Sequence, residues 1–166
     1  MRRRLCALAA LASACGGVGA GDPQPVVDLD EAAYARDVHP IIEARCATLD
    51  CHGVDDRPLR LYAETGLRVA DDLRDQPIDP AELAANVRAT EALEPGVSPD
   101  DALFIRKPLA ESAGGVAHEG GELWTGRDDP QLVCALAWLA GSSDEPAAVA
   151  ACAIAAEEVA LPPETP

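Results

Sequence analysis

Aromatic residues make up only 3% of this 166-residue chain: one Phe, two Trp and two Tyr. Apolar residues still reach 48%, with alanine carrying much of that share. A chain of this length buries one modest core, and so few large rings leave little to fill it. Methionine is scarcer still, with Met1 alone. No period-two alternation marks a strand, and no internal repeat is visible. There is no nucleophile elbow, phosphate loop or paired-carboxylate signature, so hydrolase and transferase chemistry has no support. Asp55-Asp56 and Asp128-Asp129 read as solvated loops and caps. Positive charge is also short: 13 Lys and Arg stand against 29 Asp and Glu, a formal net charge of −16. A surface this acidic repels nucleic acid and anionic lipid and favours solubility.

What is present begins at the N-terminus. Arg2, Arg3 and Arg4 precede a short apolar stretch, Leu5 to Ala14. This is the pattern of a secretory signal, too short to span a bilayer. Small residues then lead into Cys15, as at a bacterial lipoprotein processing site, although Ala12 stands where a large aliphatic is usual. Residues 1–15 are expected to be a signal and processing region with Cys15 as the lipidation site. Ordinary cleavage near Ala20 is the alternative. The protein is expected to be exported, periplasmic or membrane-anchored, touching the membrane only through that lipid. Loss of residues 1–14 removes three arginines, leaving 10 basic residues against 29 acidic ones and a net charge of −19. Export means an oxidising compartment. Cys6 leaves with the signal, so Cys46, Cys51, Cys134 and Cys152 remain to be explained.

Residues 16–29, rich in Gly, Pro and Asp, read as a flexible linker. Asp30 caps a helix whose apolar positions Tyr34, Val38, Ile41, Ile42 and Cys46 follow helical spacing, with Pro40 interrupting it and starting it afresh. Residues 54–79 are loop-like. Asp79-Pro80 opens a second helix, 81–93, stopped by Pro95-Gly96. A short helical turn is expected over 99–104 and a long loop over 107–121. Asp129-Pro130 caps a third helix, 131–140, and Pro146 starts a fourth, 147–161, before a disordered tail, 162–166. The fold class is all-α: one domain over 30–161, with long loops and an extra C-terminal helical hairpin. Cys134 and Cys152 fall on the two arms of that hairpin, within disulfide reach.

The central motif is Cys46-Ala47-Thr48-Leu49-Asp50-Cys51-His52. Two cysteines with a histidine directly after the second suit covalent haem attachment. Each thiol takes one vinyl group at the ring edge, and the adjacent imidazole reaches the iron from the same side. Four residues separate the cysteines here instead of two; the extra pair can loop outward while the sulfurs keep their places. Two other readings stand beside this one. Cys46 and Cys51 can form a local disulfide in a haem-free envelope binding or assembly module. Alternatively, Cys46, Cys51, His52 and His118 can make a zinc site, although adjacent Cys51 and His52 are poor partners for one tetrahedral ion.

The run from Tyr34 through His39-Pro40-Ile41-Ile42 to Cys46, then Cys51-His52-Gly53 and Arg60-Leu61-Tyr62, resembles cytochrome c-like modules of secreted proteins and lipoproteins of the myxobacterial and planctomycete type. Lys107-Pro108-Leu109, the Gly114–Gly121 stretch, Asp129-Pro130 and Ala137-Trp138-Leu139 extend the likeness over residues 30 to 141. The resemblance implies a cytochrome c-like helical fold, haem c on Cys46 and Cys51, and His52 on the iron. It also implies electron transfer to an unidentified redox partner protein without enzymatic turnover; peroxidase-like activity, which would need an open distal face, is the alternative. With Met1 removed, no methionine remains to be the sixth ligand. His118 lies between two Gly-Gly pairs, where distal ligands of small cytochromes arise, and glycines let a backbone approach a flat ring. It is the expected second iron ligand; a turn-capping loop histidine is the alternative. His39 lies about two helical turns before Cys46 and is assigned a structural role. Trp138 is expected in the core or on the haem edge. Arg106 and Lys107 are candidates for the haem propionates or are simply solvated.

Overall fold

A computed structural model describes residues 28–160. The expected processing region with Cys15, the linker up to residue 27 and the 162–166 tail lie outside the described residues. The helical segments are α1 Glu31–Ala33, α2 His39–Arg45, α3 Pro80–Leu93, α4 Leu103–Arg106, α5 Pro130–Leu139 and α6 Pro146–Ala160. Strand-like pairing among the described residues is confined to two isolated bridges, Tyr62 with Leu67 and Leu109 with Trp124. The class is all-α. No helix among the described residues is long and apolar enough to cross a membrane.

Aspartates start the helices, as their sequence positions suggest. The Asp30 carboxylate accepts from the Ala32 and Ala33 amides, and that of Asp129 from Gln131. Asp79 accepts from Ala81 while Glu82 reaches back to the Asp79 amide, closing a capping box. Pro80 and Pro130 occupy the first helical positions, where a missing N–H costs nothing.

Three boundaries differ from expectation. Pro40 does not break the first helix: α1 runs into a π-helical turn, Tyr34–Val38, and that turn into α2. Proline has no N–H to donate and crowds the carbonyl four residues back, here Arg36; one widened turn accommodates both. Leu29, expected in the linker, is buried, and its amide donates to the Glu91 carboxylate at 3.0 Å. The turn expected over 99–104 is two pieces, a 3₁₀ turn Pro99–Asp101 and α4, divided by extended Ala102.

The core gathers the few rings. Tyr34, Phe104, Trp124 and Trp138 are all buried, and each such ring removes roughly 150–250 Å² from water. Tyr34, Val38, Ile42, Leu61, Ile105 and Leu132 pack among them. The Trp138 indole N–H donates to the Asp30 carbonyl at 2.9 Å, fastening α5 to the start of α1.

Two polar clamps order the long loop before α3. Asn86 accepts from the Tyr62 amide at 2.7 Å and donates to the Tyr62 carbonyl at 2.9 Å. Arg68 and Glu82 form an ion pair at 2.8 Å with both side chains fully buried. The remaining Arg68 donors go to the carbonyls of Leu73, Gln76 and Pro77. Burial pushes the Glu82 carboxyl up, but the Arg68 guanidinium and the Val69 and Asp79 amides outweigh it and hold the group below the usual carboxylate range.

At the C-terminal end, α5 packs on α6 and Cys134 is disulfide-bonded to Cys152, with Cα atoms 4.8 Å apart. Gln131 donates to the Glu158 carboxylate further along the same pair at 3.0 Å. Both links lie symmetrically about the 140–145 connection, the geometry of an antiparallel hairpin. Ile41 of α2 joins Cys134, Cys152 and Ala155 in a small apolar cluster, so the hairpin braces the helix that leads to Cys46.

Candidate functional site

α2 ends at Cys46, whose amide donates to the Ile42 carbonyl at 2.8 Å. The chain then folds into a tight turn. The Cys51 and Gly53 amides both donate to the Thr48 carbonyl, and the His52 amide returns to the Cys46 carbonyl at 2.9 Å. Leu49 and Asp50, midway between the cysteines, are exposed while Ala47 is fully buried. The longer spacer is thus taken up by a loop that points outward. Gly53 closes the turn because the Ala47 carbonyl lies against it; a Cβ there would stand 2.1 Å from that oxygen. Cys46 and Cys51 are free, half-buried cysteines. Burial pushes the Cys46 thiol up to about 12, helped by Cys51 and opposed by Arg45.

His52 Nδ1–H donates to the Leu59 carbonyl at 2.9 Å. A carbonyl can only accept, so Nδ1 carries the proton and Nε2 keeps its lone pair. His118 has the same arrangement, with Nδ1 3.1 Å from the Gly121 carbonyl. It comes from the 107–121 loop, whose base is closed by Leu123 and Trp124 amides on the Pro108 carbonyl and by the Ala110 amide on the Trp124 carbonyl. The two imidazoles lie 6.1 Å apart, centre to centre, with planes within 8° of parallel.

Both histidines and both cysteines line one cavity of about 250 Å³. Its apolar walls include Ile42, Leu59, Leu61, Phe104 and Leu123. Its cations are Arg45 and Lys107, and no Asp or Glu lines it, in a chain with 29 acidic residues. Trp124 lies on the wall, and its buried indole N–H has no partner. A buried donor left unpaired costs about 1–3 kcal/mol. One largely apolar cavity thus brings together two free thiols, two imidazoles and two cationic side chains. Among the described residues no three His, Cys, Asp or Glu side chains form a set that could hold a metal ion, so the four-ligand zinc arrangement is not assembled.

The remaining sequence candidates separate. His39 is buried outside this cavity, 5.8 Å from the Tyr34 ring. Trp138 is a core residue, and Trp124 is the indole on the cavity wall. Arg106 donates to the Gly114 carbonyl at 3.3 Å and does not line the cavity, whereas Arg45 and Lys107 do. Sequence reasoning had no signal for Trp124 or for the Leu59 carbonyl, because both depend on how two loops close. Arg45 had one: it directly precedes Cys46. Comparison with family models, with curated proteins and with solved structures returns no match.

Proposed function

We propose that this chain is an exported c-type cytochrome-like electron carrier, with haem c joined to Cys46 and Cys51 and its iron held between His52 and His118. One observation carries the reading: sequence-distant His52 and His118 face each other across the same apolar cavity that the two free thiols line. Bound there, the haem would supply an iron that exchanges one electron without making or breaking a substrate bond. The chain's own part is to place and insulate it. The Leu59 and Gly121 carbonyls fix both histidine tautomers, leaving Nε2 free as ligand. Lys107 and Arg45, the two cations of the lining, supply positive charge for carboxylates. The apolar walls exclude water, and two neutral imidazoles favour a lower potential than a histidine–methionine pair. The strongly acidic surface suits a basic redox partner.

The test is an absorption spectrum of protein expressed with a haem c maturation system, followed by a denaturing gel stained for haem. The reading expects a reduced spectrum of haem c type and stain that stays on the denatured band. A colourless band with Cys46 oxidised to Cys51 would refute it in favour of a disulfide-stapled envelope module.

A further inference from the structure

We propose that Gly120 sets the position of His118 opposite His52, an inference that rests on the two-histidine reading above. His118 and Gly121 close a turn: the Gly121 amide donates to the His118 carbonyl at 3.0 Å, and His118 Nδ1–H donates to the Gly121 carbonyl at 3.1 Å. The imidazole thus folds back over its own turn and lies against Gly120. A Cβ on Gly120 would stand 3.0 Å from His118 Cε1 and 3.4 Å from each ring nitrogen. That is tighter than ordinary carbon contacts, which sit near 3.5–4.0 Å or about that.

The two neighbouring glycines are needed for different reasons. Gly121 has φ +81°, a left-handed conformation that favours glycine, and a Cβ there would meet nothing within 4 Å. Gly120 is not among the positive-φ residues. Its backbone accepts any residue, and only the His118 ring excludes a side chain. The loop has little freedom to move aside as a body. Lys107 Nζ donates to the Ala117 carbonyl at 2.7 Å, and the Val116 amide to the Arg106 carbonyl at 2.9 Å. With the chain held on that side, a side chain at 120 must displace the His118 ring, which lines the cavity. Gly120 is exposed and stands on the cavity lining beside His118, so a substitution there leaves the buried core untouched, and the haem-free spectra separate displacement of the ring from obstruction of the cavity.

The test uses the full chain with Gly120→Ala and Gly120→Leu. In haem-free protein labelled with ¹⁵N-histidine, wild type should show His118 as the Nδ1–H tautomer. Gly120→Leu should abolish that pattern while the His52 signals and the far-UV circular dichroism stay as in wild type. In haem-loaded protein, Gly120→Ala should shift the reduction potential. Gly120→Leu should convert the low-spin ferric spectrum to high spin, and added imidazole should restore it. Wild-type His118 signals or a retained low-spin spectrum in Gly120→Leu would overturn the inference. If no variant takes up haem, the two-histidine reading fails, while the haem-free spectra still decide the role of Gly120.

Discussion

His52 and His118 each give their Nδ1–H to a backbone carbonyl, of Leu59 and of Gly121, and present parallel rings to one another across the same cavity. On the proposed reading they differ in what surrounds them. His52 is held beside two covalent attachment points, and His118 by its turn alone. His118→Ala should therefore keep haem on the denatured band but give a high-spin ferric spectrum, with the ferric form open to cyanide and the reduced form to carbon monoxide. An unchanged low-spin spectrum would remove His118 from the iron.

The Cys46 thiol, pushed up to about 12 chiefly by burial, is almost wholly protonated near neutral pH. Since the thiolate is the nucleophile, iodoacetamide should modify Cys46 in folded, haem-free protein on the order of tenfold or more slowly than in urea. Peptide mapping by mass spectrometry gives the two rates. Equal rates would mean that the sulfur is not desolvated.

Arg68→Met should be the most damaging single change away from the cavity. It leaves the Glu82 carboxylate buried and unpaired, at a cost of roughly 3–5 kcal/mol. Glu82 also gives stability a pH dependence. Its folded pKa is held below the unfolded value, so its contribution is full above the usual carboxylate range and is lost as pH falls through the folded value. Urea midpoints from pH 7 down to pH 3 should fall in wild type, with a shallower slope in Glu82→Gln. Parallel slopes would count against this assignment.

His39 works in the opposite chemical sense with the same slope. Burial lowers its pKa, against the pull of the Glu43 and Glu64 carboxylates. Neither ring nitrogen has a hydrogen-bond partner; the nearest carboxylate oxygen, on Glu43, is 3.6 Å from Nε2. Below the ordinary histidine range the unfolded chain takes the proton first, so stability falls as pH drops from that range toward the folded value. An NMR titration should find the His39 pKa below the ordinary histidine value in haem-free protein. A normal value would show that water reaches the ring.

Reducing Cys134–Cys152, or changing both to Ser, should lower stability by about 3 kcal/mol, the loop-closure estimate for a ring of this size. The urea midpoint of oxidised against reduced protein measures it. A loss below 1 kcal/mol or about that would mean that the hairpin's own packing holds the unfolded chain together equally well.

The sequence made the helices legible because Asp-Pro and lone Asp caps are local signals, read within four residues. The disulfide was legible for a similar reason: a short connection between two helices limits where their residues can meet. Cys46, Cys51 and His52 stand in one motif. Pro40 does stand in the first turn of α2, as its sequence position suggests, but the π turn that joins α2 to α1 without a break has no local signal. The cavity itself was not legible. Trp124 reaches it through the pairing of 108–110 with 123–124, and the cavity's second cation is Arg45 where the sequence pointed to Arg106. Such loop–loop closures leave no periodic trace in the chain.

The two cysteine pairs also bear on the order in which the molecule matures. On the proposed reading, one compartment must oxidise Cys134 and Cys152 while leaving Cys46 and Cys51 reduced until they are alkylated by haem. Thiol–disulfide exchange requires access. Cys134 and Cys152 are buried between two helices and α2, whereas Cys46 and Cys51 remain half-exposed at a cavity. A reductase that has to reach the haem-acceptor thiols can therefore act on the folded hairpin without opening it. Hairpin closure then belongs before cofactor attachment, and a chain that has not closed it would offer four thiols where the attachment machinery needs two.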